Sequence, residues 1–187
     1  MSDKTVAQES QDMRQSTMAE LLREKPKRGR PKHAVSRQNV YVALNPSEKA
    51  EMKRLVALLP RSLKRADLAD LVISVLTARL EALRRALVGR NREIPEGVTD
   101  LDSLYLLWDL PLPDPTQPEK WTSIRVSPQQ VIELGREHGT LNAAFGVTRS
   151  QTFVLGLAAL AQFLEKHPLQ ESELTVNQIR ALILQAY

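Results

Sequence analysis

The side chains with the most evident chemistry in this chain are cations in a run: between Lys25 and Arg37 stand six Lys or Arg and no acid. Ammonium and guanidinium groups at that density hold phosphates or carboxylates, so the segment suits a polyanion. Just beyond it, Asn39 and Tyr41 add an amide and a hydroxyl, and far along the chain Ser123 and Arg125 add another hydroxyl and a guanidinium. Bond-breaking chemistry has little to work with. There is no cysteine, which removes thiolate nucleophiles, thiolate metal sites and disulfides. The three histidines, His33, His138 and His167, share no ligand spacing, and no glycine-rich phosphate loop occurs. The expectation is a protein that is not an enzyme and needs no metal, no cofactor and no small-molecule ligand.

Charge is distributed unevenly over the 187 residues, although the net value is only +4. Residues 25–92 hold 17 Lys or Arg against 5 acids, residues 93–119 hold seven acids and no base, and residues 120–187 hold six bases against five acids. A basic N-terminal half followed by an acidic connector points the polyanion to one end. No apolar run approaches the roughly 18 residues of a membrane span, and the first residues have no signal-peptide core. A cytoplasmic protein without a membrane partner is expected.

Elements must position these groups. Val40, Val42 and Leu44 alternate with Asn39, Tyr41 and Ala43, the period of a strand. Asn45, Pro46 and Glu48 then form a helix start, with a cap, a first-position proline and a residue that reaches back. Met52, Leu55, Val56 and Leu59 recur at helical spacing until Pro60. A second helix is predicted to open at Ser62, carry an apolar stripe from Leu68 to Leu87, and close at Gly89.

The same order returns about 82 residues later. Thr122, Ile124 and Val126 alternate with Trp121, Ser123 and Arg125, and Ser127, Pro128 and Gln130 repeat the helix start. That helix is predicted to end near His138 and Gly139, leaving a long path through residues 139–146 to a further helix at Thr148 with a capping box to Gln151. The connector holds a short helix around Leu104, and a last helix starts at Thr175. A short capped helix is also predicted at Thr17–Glu20. The domain reading is an arm at 1–36, a first unit at 37–90, an acidic proline-rich linker at 91–119, and a second unit with a C-terminal helix at 120–187.

A lone six-residue strand cannot satisfy its backbone, so each copy needs a partner strand. Paired antiparallel, two copies would turn Val and Leu inward and leave Asn39, Tyr41, Ala43, Trp121, Ser123 and Arg125 outward. A two-stranded ribbon fits the major groove of duplex DNA, where arginine bonds guanine O6 and N7 and asparagine bonds adenine N6 and N7. Ala43 and Trp121 are poor direct readers, and Trp121 is expected chiefly to cover the edge of the core.

Both units, and G-V-T-R-S-Q-T-F-V-L most specifically, resemble the ribbon-helix-helix family of the MetJ, Arc and CopG repressors. The resemblance covers roughly 37–87 and 120–166. It implies a mainly α fold with short β-strands in two tandem ribbon-helix-helix copies, base contacts from the six outward residues, and phosphate contacts from Ser62, Leu63, Lys64, Thr148, Arg149 and Ser150. The two-copy layout is also similar to regulators of conjugative plasmids. In the basic run, Lys27, Arg28, Gly29, Arg30, Pro31 and Lys32 resemble an AT-hook, whose arginines follow the narrow minor groove of A·T-rich DNA. The expected function is a double-stranded DNA-binding transcriptional regulator of bacterial or plasmid type, associated with nucleoid or plasmid. A relaxosome or partition accessory protein and an antitoxin are the alternatives. The apolar surplus at Leu104, Leu107, Trp108, Ile179, Leu182 and Ile183 further suggests a homodimer.

Overall fold

The computed structural model describes residues 36–89, 94–169 and 173–187. The basic run before Ser36, including the AT-hook-like residues and the Thr17–Glu20 helix, lies outside them. The chain from Val35 to Tyr187 forms one compact unit. Its order is β1 (Gln38–Leu44), α1 (Pro46–Leu58), α2 (Arg65–Ala86), α3 (Leu101–Leu107), β2 (Lys120–Val126), α4 (Pro128–Phe145), α5 (Arg149–Lys166) and α6 (Val176–Ala186). It is mainly helical with one short antiparallel sheet.

That sheet pairs β1 with β2 of the same chain, Gln38 opposite Val126 and Leu44 opposite Lys120. Burial follows the period of two. Val40, Val42, Leu44, Ile124 and Val126 are buried, while Asn39, Tyr41, Trp121, Ser123 and Arg125 are exposed. Both strands are seven residues long and their first residues are 82 positions apart.

Local chemistry explains most helix boundaries. Asn45 accepts a bond from the Glu48 N–H while the Glu48 carboxylate accepts from the Asn45 N–H, so α1 opens on a closed capping box with Pro46 in its first turn. Thr148 and Gln151 do the same for α5, and Thr175 and Gln178 for α6. The helix after Pro60 starts later than Ser62. Lys64 precedes its first turn, and Asp67 reaches back to the Lys64 N–H at 2.7 Å. The Ser62 hydroxyl instead donates to the Leu174 carbonyl at 2.9 Å, tying this turn to the segment before α6.

Three further expectations are corrected. Residues 139–146 are not a long connection, because α4 runs on to Phe145. Glycine inside a helix costs about 1 kcal/mol relative to alanine, and the fully buried Leu141 continues the apolar face past Gly139 and outweighs it. The real stop is Gly146, whose φ of 70° is left-handed and whose N–H bonds the Asn142 carbonyl. The Ser127 side chain makes no cap; its backbone N–H donates to Asp70 at 2.9 Å, and Gln130 is turned inward against Ser74. The apolar surplus is internal only in part: Leu104, Ile179 and Ile183 are fully buried in this chain's own core, while Leu107 and Leu182 are exposed.

The core centres on α2, which packs against α4, α5, α6 and β2, while α5 packs against β1. Each of these two long helices therefore supports the strand farther from it in the chain. The two long helices approach closely at Gly156, where a Cβ would stand 3.0 Å from the Val72 carbonyl oxygen and 3.3 Å from Leu76 Cβ. Leu68, Leu71, Leu76, Phe153 and Phe163 are among the fully buried side chains of the same core.

Candidate nucleic-acid interface

The outward face of the sheet consists of three cross-strand pairs: Asn39 with Arg125, Tyr41 with Ser123, and Ala43 with Trp121. Neither strand carries an acid. Tyr41 is 63% exposed and Trp121 74%, so Trp121 does not cover the core edge; it stands in solvent at the end of the face opposite Arg125. Ala43 keeps 9% exposure and offers little more than a small floor beside the indole. Gln38 and Lys120, which the sequence pattern did not single out, are exposed at the two ends.

The starts of α2 and α5 flank this face, and hydrogen bonds hold them there. The Ala43 N–H donates to Ser150 Oγ at 2.8 Å, which sets the first turn of α5 beside β1. Arg37, immediately before β1, uses one terminal nitrogen to donate to the Ala66 carbonyl and to approach Asp70 at 3.1 Å, while the other pairs with Asp67. Because Asp70 also accepts from the Ser127 N–H, it joins the start of α2 to the end of β2. Burial pushes the Asp70 carboxyl upward from its ordinary value, opposed by the Ser127 bond and by Arg37.

Of the residues expected at phosphates, Lys64, Thr148 and Arg149 are exposed at these helix starts, joined by Arg65. Leu63 is half-buried against the core. Ser62 and Ser150 are occupied by the Leu174 carbonyl and the Ala43 N–H. Arg37, Asp67 and Asp70 were not legible as a unit, because the first lies about 30 positions from the others and nothing in the pattern links them. Chemically, the face offers an amide, two hydroxyls, an indole and a guanidinium, with cations on exposed helix starts beside it. Among the described residues no group of acids and histidines could hold a metal ion, and no single helix is long and apolar enough to cross a membrane. No protein-family model, no curated protein and no solved structure matches this chain.

Proposed function

We propose that the protein is a sequence-specific double-stranded DNA-binding transcriptional regulator of bacterial or plasmid type. Two tandem ribbon-helix-helix units, β1–α1–α2 and β2–α4–α5, supply one strand each, and the sheet enters the major groove by its outward face. The observation that carries this reading is the register: Tyr41 faces Ser123, the residue 82 positions on. The offset between the strands in the sequence is thus the same as the offset across the central pair. In an antiparallel ribbon of two equivalent strands, the local two-fold axis passes through such a pair.

The halves differ in sequence, so the face is not symmetric. Asn39 and Arg125 form an end able to bond adenine and guanine edges, and Ala43 and Trp121 form an end with neither group. Lys64, Arg65 and Arg149 hold the flanking phosphates. The Lys27–Lys32 arm follows an adjacent A·T minor groove.

Selection of bound duplexes from a random-sequence pool, using the full chain, tests the proposal. It predicts a short enriched core that is not palindromic within one sheet's footprint, containing neighbouring A·T and G·C pairs, with A·T-rich flanks. Recovery of no enriched sequence would overturn sequence-specific reading. Mapping of bound sites in cells then separates a regulator, at promoters, from an accessory protein confined to a transfer origin.

A further inference from the structure

Arg79 lies on α2 fifteen residues past Lys64, about 20 Å along the helix from the end beside the sheet. It is only 8% exposed, in the midst of an apolar stripe. Its guanidinium carbon stands 5.0 Å from the ring centre of Trp108 and 5.0 Å from that of Tyr187. One terminal nitrogen donates to Gln162 Oε1. Gln162 is itself fixed, because its amide nitrogen donates to the Trp108 carbonyl at 3.0 Å and the Asp109 carbonyl at 2.7 Å. Asp109 makes this possible with a left-handed φ of 54°, which turns the chain after α3 so that both carbonyls reach one amide.

The other terminal nitrogen, Nη1, is buried and has no hydrogen-bond partner, and no carboxylate pairs with Arg79 among the described residues. Ring faces offset part of the cost of burying a cation, but they leave its N–H donors unmet. Arg79 also lines an open surface groove of about 490 Å³ together with Leu83, Leu107, Trp108, Lys166 and Tyr187. That volume lies in the range of small-molecule sites, which combine apolar walls with a few fixed polar groups. One acidic side chain, Asp109, is at the wall, exposed to solvent, beside the cations Arg79 and Lys166.

We propose that this groove binds a small monocarboxylate with an apolar, ring-sized body. The carboxylate bonds the Arg79 guanidinium, taking up Nη1, and the Tyr187 ring moves off to admit it. The body lies against Leu83, Leu107 and Trp108, and Lys166 adds a second positive charge. Sequence patterning predicts no small-molecule ligand, because an arginine inside a leucine-rich helix carries no motif. The inference uses none of the sheet's residues, so its outcome is separate from that of DNA binding.

Calorimetric titration of the full chain with benzoate, and with benzamide as the uncharged isostere, tests it. Saturable binding of benzoate, no detectable binding of benzamide, and a loss of about tenfold or more in affinity for Arg79→Gln are expected. Absence of saturable benzoate binding, equal binding of benzamide, or full affinity in Arg79→Gln would overturn it. Should Arg79→Gln fail to fold by circular dichroism, Ala82→Trp decides. Ala82 also lines this groove from α2, so the added indole should fill it and abolish benzoate binding, and retained binding would place the ligand elsewhere and refute the proposal.

Discussion

Ser150 and Glu137 are buried polar side chains whose roles can be separated one at a time. The Ser150 hydroxyl is the partner of the Ala43 N–H, beside a strand residue that keeps little exposure. Ser150→Ala leaves that donor without an acceptor, and a loss of about 1–3 kcal/mol in unfolding free energy is expected by urea denaturation. A loss near zero would mean that water replaces the hydroxyl. Glu137 is fully buried on α4, where Arg84 donates to it at 2.9 Å and also to Thr140 Oγ1 at 2.9 Å. Burial raises the Glu137 carboxyl above its ordinary value, and Arg84 only partly opposes this. A raised native value means that the folded state binds the proton more tightly than the unfolded state. The stability this group contributes is therefore complete below its unfolded value and is lost as pH rises through the folded one. Glu137→Gln does not titrate, so its stability relative to the parent protein should improve as pH rises through and above the ordinary carboxylate range. A relative stability that worsens over that range would contradict the assignment.

Glycines divide the helices by what stands next to them. Gly135 and Gly139 lie inside α4 with open space where a Cβ would go. Changing either to alanine should gain about 0.5–1 kcal/mol from helix propensity alone. Gly156 has the same propensity to gain, but its Cβ would meet the Val72 backbone at the α2–α5 crossing. Backbone cannot step aside as a side chain can, so Gly156→Ala is expected to lose about 1–3 kcal/mol net, read as a lower thermal midpoint. These positions also show what was legible in the sequence. Alternation located both strands, and reciprocal caps at Asn45 and Thr148 located two helix starts, since those signals are local. Gly139 misled because a helix breaker was weighed without Leu141, whose burial depends on distant elements. Ser62 misled in the same way: its hydroxyl has a partner 112 positions on, and no local pattern shows one. The outward face followed from strand period, but the helix starts that flank it are held by Arg37, Asp70 and Ser150 across long separations.

At the scale of the whole molecule, both strands of the sheet belong to one chain, and α2 and α5 share one core. Folding should therefore not depend on association, and the thermal midpoint should be unchanged from about 1 to about 100 µM protein, where an obligate dimer would shift. A rising midpoint would restore the two-chain assembly that the apolar surplus suggested. What remains exposed of that surplus is Leu107 and Leu182, with Trp108 half-buried over Arg79. The unit brings an acid-free sheet face and cationic helix starts together, and its function turns on whether that face reads bases. Fluorescence anisotropy of the full chain, parent and Arg125→Ala, on the selected duplex and on a scrambled duplex at one salt concentration is the most direct measurement. The proposed reading predicts that Arg125→Ala weakens binding to the selected duplex by about 1–3 kcal/mol and leaves the scrambled duplex nearly unchanged. An equal loss on both duplexes would make Arg125 a phosphate contact, and no loss on either would take the sheet out of the groove.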